Sequence, residues 1–153
     1  MMMKSRFKIA GLLLAAGLAA SPAAAQSPSF SGRFVFQSHD LWANATVSTL
    51  SGFAESRPLS SGRYAITLAA LQYQQNDEGE DVGLAYQDCI GTQNGAELRI
   101  ECEVRGTSYD SYGADAFVLQ HSGSDRFWTG VLSTSDDTAI VFISADYSAN
   151  LSR

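Results

Sequence analysis

Two cysteines and two histidines are the residues of this 153-residue chain best suited to chemistry. Cys89 and Cys102 stand 13 positions apart. Two sulfurs with no histidine nearby leave a tetrahedral metal half-coordinated, whereas in an oxidising compartment such a pair forms and keeps a disulfide. The expectation is therefore a Cys89–Cys102 bond and no metal site. Closing a loop of this length contributes about 3 kcal/mol in the chain-entropy model.

His39 and His121 are the bases a Ser-His-Asp hydrolase would have to recruit, through His39-Asp40 or through His121-Ser122 with Asp125. Sequence neighbours are weak grounds for a triad, whose members meet through the fold. Neither the G-x-S-x-G elbow nor the H-E-x-x-H metal motif occurs. The acids are expected on turns and solvent faces, too scattered to act as a paired-carboxylate site. In the acidic run 75–81, counting a calcium loop from Asp77 puts Val82 where glycine is required, so the run reads as a solvated hairpin tip. No catalytic residue and no cofactor is expected.

Aromatic side chains offer more. Trp42, Tyr86, Tyr109, Tyr112 and Trp128 are the candidates for ligand or partner contact, because aromatic walls with polar tips are how small β-barrels hold ligands. Tyr109 and Tyr112, in the glycine-flanked loop 106–113, are expected to be exposed. Phe34, Phe36, Tyr64, Phe127 and Phe142 are expected to fill a core.

The elements that must carry these residues are strands. Residues 96–105 alternate Ala96, Leu98, Ile100, Cys102 and Val104 against Glu97, Arg99, Glu101, Glu103 and Arg105, a half-buried strand. With Val82, Leu84 and Tyr86 upstream and Asn94-Gly95 between, the unit reads as a hairpin. Setting Cys89 opposite Cys102 moves its turn to a loop within residues 94–97. Val82, Leu84 and Tyr86 are expected to face the core, yet Cys89 has the opposite parity, so a β-bulge is expected at Gln87-Asp88. Further strands are expected at 33–37, 41–50, 62–74, 114–121, 126–133 and 138–146, with a serine-rich loop at 51–61 and a bend or bulge at Gly130. About eight short strands with no helical period indicate an all-β antiparallel meander, closed or partly open as a small barrel, with a β-sandwich as the alternative.

Residues 1–25 have the form of a cleaved signal peptide: a basic start, a twelve-residue apolar run, then small residues before Gln26. That run is short of the roughly 20 residues a spanning helix needs. Residues 26–153 then form one domain, periplasmic or secreted. Without Lys4, Arg6 and Lys8, seven bases face 16 acids, a net charge of −9. Scattered arginines on so acidic a chain exclude nucleic acid as a partner and disfavour anionic membranes. An outer face bearing Glu97, Arg99, Glu101 and Glu103 cannot supply the lipid-facing band of a membrane barrel. The expected function is a non-enzymatic binding module, holding a small apolar ligand in a barrel interior or a protein partner through its loops, an inhibitor being one version. A structural or stress-related envelope protein is the alternative.

Overall fold

The computed structural model describes residues 28–41, 47–76, 79–109, 112–123, 126–134 and 137–145. The expected cleavage site, Trp42, Asp125 and the tail after Asp146 lie outside them. Eight strands follow in order: β1 (Gly32–Leu41), β2 (Val47–Ser60), β3 (Arg63–Asn76), β4 (Gly79–Asn94), β5 (Glu97–Thr107), β6 (Ala116–His121), β7 (Phe127–Leu132) and β8 (Asp137–Ser144). Each pairs antiparallel with the next, and β8 pairs with β1, closing a barrel. The meander is as expected, and the barrel displaces the sandwich.

Strand alternation sorts side chains into an apolar interior and a mixed exterior. Phe34, Phe36, Leu50, Ala54, Ile66, Leu68, Leu98, Ile100, Phe117, Leu119, Ile140 and Phe142 are buried inside. Phe30, just ahead of β1, plugs one end. Its ring stacks on Phe34 with centroids 4.2 Å apart and takes the edges of Tyr64, Trp128 and Phe142. The plug is tied in place by the Ser56 hydroxyl, which donates to the Phe30 carbonyl at 2.5 Å. Tyr64 Oη donates to Gln93 Oε1 at 2.8 Å, and Gln93 Nε2 donates to the Pro28 carbonyl.

The cysteine hairpin forms in the expected register. Asn94 pairs with Glu97 around a two-residue turn whose first residue, Gly95, adopts φ 62°, the positive value such a turn asks for. This sets Cys89 directly opposite Cys102, with Cα atoms 4.0 Å apart and the disulfide formed. The bulge expected at Gln87-Asp88 is absent: β4 runs against β3 in unbroken register from Asn76–Gly79 to Arg63–Thr92. Tyr86 and Cys89 lie on opposite faces, and Val82, Leu84 and Tyr86 point outward. The inner face of β4 is instead Gly83, Ala85, Gln87, Cys89 and Gly91. Small residues are needed there because the space is already taken. A Cβ on Gly91 would stand 3.0 Å from Ile66 Cδ1, and one on Gly83 would strike the Tyr109 ring. The register shift falls on β5 instead, where Tyr86 faces Gly106 and Gln87 faces Val104, leaving Arg105 extra.

Three further expectations are corrected. Residues 51–60 are strand, not loop, because Leu50, Gly52, Ala54 and Ser56 keep period 2 on the inside. Pro58 lies past the last β1 partner, Ser56, so its missing N–H leaves no ladder bond unmade on that side. Phe127 is on the outer face, half-buried beside Ile143, rather than in the core. Gly130 is no bulge, since a Cβ there would lie 1.9 Å from the Val118 carbonyl oxygen, and the glycine lets two strands approach.

Candidate functional site

At the end opposite Phe30 the strands β1, β3, β5 and β7 finish, and the same inward faces turn polar. On β1 the series Phe34, Phe36 continues into Ser38 and Asp40, both 1% exposed. Asp40 Oδ2 accepts hydrogen bonds from Ser38 Oγ at 3.0 Å and Ser48 Oγ at 3.3 Å. Ser38 Oγ in turn accepts the Leu50 N–H at 3.1 Å. Among the described residues Asp40 Oδ1 meets no donor. Burial raises the Asp40 carboxyl above its usual 3.8, opposed by the two serine hydroxyls and by His39.

A second buried acid, Asp115, lies just ahead of β6. Its Oδ2 accepts from Tyr112 Oη at 2.6 Å and from Gln87 Nε2, while its backbone N–H donates to Gln87 Oε1 at 2.9 Å. Gln87 is fully buried on β4, so this two-way amide contact fastens Asp115 to the barrel wall. Burial raises the Asp115 carboxyl, the bonds from Tyr112 and Gln87 lower it, and Asp40 adds a smaller upward push. The Tyr112 phenol is pushed far above its usual range, first by burial and then by the Asp115 charge.

Asp40, Gln72, Gln74, Tyr109, Tyr112 and Asp115 line a cavity of about 270 Å³ at this mouth, with Leu50 and Leu132. Tyr109 and Tyr112 are not the exposed loop contacts expected. Their rings stack, centroids 6.1 Å apart, and Tyr109 Oη donates to the Gln72 carbonyl at 3.1 Å. Gly83 is what admits the Tyr109 ring. Tyr86 stands elsewhere, on the outer wall beside Ala69 and 42% exposed. Trp128 is wholly buried at the plugged end against Phe30 and His121, so it serves packing rather than contact. Its indole N–H has no hydrogen-bond acceptor among the described residues, and its ring is packed against those of Phe30 and His121.

The histidines do not converge. His39 is exposed on the outside of β1 while Asp40 points in, since neighbours on a strand face opposite ways. His121 ends β6 at the plugged end, and the adjacent Ser122 hydroxyl donates to the Phe127 carbonyl at 3.0 Å. No group of three or more metal-ligating side chains occurs among the described residues, and no helix among them is long and apolar enough to cross a membrane.

Larger hollows lie on the outer wall. One of about 770 Å³ is lined by Glu55, Arg57, Asp88, Glu101 and Glu103, and one of about 450 Å³ by Phe53, Ala69, Tyr86, Arg33 and Arg105. Their charged groups stand in solvent, where a polar group forgoes little by lacking a partner. Among the described residues, the mouth combines a cavity with a buried carboxylate oxygen short of a donor. No protein-family model matches the chain, and no curated protein or solved structure does either.

Proposed function

We propose that the mature protein is a non-enzymatic binding module of an exported, periplasmic or secreted kind, and that its ligand sits in the polar mouth. The carrying observation is the cavity of about 270 Å³ bordered by Asp40, whose Oδ1 has no donor among the described residues. Such an atom costs stability unless something supplies the missing bond. The disulfide and the form of residues 1–25 support export. The ligand is moved from the interior to the mouth because Phe30, Phe34, Phe117, Trp128 and Phe142 fill the interior. A library of small polar molecules screened by amide NMR shifts tests this: binding moves resonances of Ser48, Leu50 and Asp115 together. Shifts confined to the outer wall contradict it.

A second reading is an envelope-protein partner. It is favoured by the outer face of β2 to β4, where Phe53 (68% exposed), Leu71, Val82, Leu84 and Tyr86 stand near one another. Under that reading Phe53→Ser leaves the fold intact and abolishes co-purification.

A further inference from the structure

We propose that the mouth takes a small organic cation, its primary ammonium group pairing with the Asp40 carboxylate once Oδ1, now packed out of solvent contact, turns toward the cavity. This rests on the mouth being the binding site and names the class of its ligand.

The cavity wall offers acceptors and ring faces; its two phenol donors are spent, which leaves only the neutral Gln72 and Gln74 amides and the Thr134 hydroxyl as side-chain donors. Tyr112 Oη is committed to Asp115, and Tyr109 Oη to the Gln72 carbonyl. Asp40 Oδ2 already accepts two hydroxyls, so what the pocket lacks is a donor for Oδ1. Charge points the same way. Two buried carboxyls border the cavity, and no lysine, arginine or histidine lines it. An anion entering there would meet like charge in a poorly solvated site, whereas a cation would offset charge that burial has left uncompensated. The stacked Tyr109 and Tyr112 rings add faces of the kind that attract ammonium groups.

Size and ligand count narrow the class. At roughly 30 Å³ per water, the cavity matches the space of about nine waters, enough for a short aliphatic amine and too little for a folded peptide. With two carboxylates and, among the described residues, no third histidine, cysteine or acid beside them, a bare divalent ion would have only neutral amide oxygens and water to complete its shell.

The test uses residues 26–153 with the disulfide intact, titrated at neutral pH with 1,4-diaminobutane, with 1,4-butanediol as its neutral match, and with calcium chloride, read by amide NMR shifts. The diamine is expected to move Ser48, Leu50 and Asp115, with little effect from the diol or from calcium. Asp40→Asn keeps an oxygen for the two serines and puts an NH₂ where Oδ1 stood. It is expected to weaken diamine binding about tenfold or more. The diamine and diol comparison needs no variant, so it decides the matter even if Asp40→Asn folds poorly. Equal binding of diol and diamine, or a calcium response at the same amides, overturns the ammonium assignment and leaves the mouth as the site. Silence of the mouth resonances toward all three probes overturns the ammonium assignment, and silence toward the wider polar library as well removes the mouth as a site.

Discussion

The two ends of this barrel are closed by the same strands in opposite ways. At one end Phe30 is driven between Phe34, Tyr64, Trp128 and Phe142, and packing of rings does the sealing. At the other, Gln87, Asp115 and Tyr112 seal by directed hydrogen bonds, and the carboxylate of Asp40 is kept buried with one oxygen unpartnered. The first arrangement maximises stability. The second gives some up, and a site is the usual place where a fold does so.

The comparison is broken most sharply at the plugged end. Phe30→Ala removes a fully buried ring and is expected to lower unfolding free energy by about 3–5 kcal/mol in urea titration. The mouth should survive it, because no described contact of Phe30 reaches Asp40 or Asp115. Next in size, reduction of Cys89–Cys102 should cost about 3 kcal/mol, read as a lower midpoint at unchanged sequence. At the mouth, Gln87→Leu leaves the Asp115 N–H without its partner and strips one donor from its carboxylate. A loss of about 1–3 kcal/mol is expected. Proteolysis should then cut first beside Asp115, the residue that Gln87 fastens.

How much of each end could be read from the sequence differs too. The barrel was legible in the strand count, and the disulfide in the cysteine pair and its compartment. The face of β4 was not, because Val82, Leu84 and Tyr86 alternate as an inward apolar set would. Their true neighbours are Phe53, Ala69 and Leu71 on the outer wall. Inside, Ile66, Leu98 and the Tyr109 ring leave no room for a side chain at Gly91 and Gly83, a volume constraint that no single strand displays. The site was hidden differently. Asp40 enters the sequence only as the neighbour of His39, Gln87 only as half of an expected bulge, and nothing singles out Asp115. Parity does contain them: Asp40 follows Phe34, Phe36 and Ser38 at period 2, Asp115 precedes Phe117 and Leu119, and Gln87 precedes Cys89. A polar residue continuing a buried register is the signal, and composition alone conceals it by placing every acid on the surface.

The smallest effect bears most directly on the claim that the mouth is held at the expense of stability. Burial keeps the Asp40 carboxyl above its usual 3.8, so the folded protein takes up this proton at a higher pH than the unfolded chain. Stability from this residue therefore rises as pH falls through the folded value, and it levels off below 3.8. Asp115 shifts the same way, and Asp40→Asn also removes the small upward push that the Asp40 charge exerts on it, so both effects enter the comparison with the same sign. Urea unfolding of the wild type and Asp40→Asn across pH 3.5 to 8 is the measurement. The account predicts that Asp40→Asn equals or exceeds the wild type near neutral pH, and that the wild type closes the gap on acidification. A wild type that is the more stable of the two at neutral pH, with a margin that shrinks as pH falls, would contradict it.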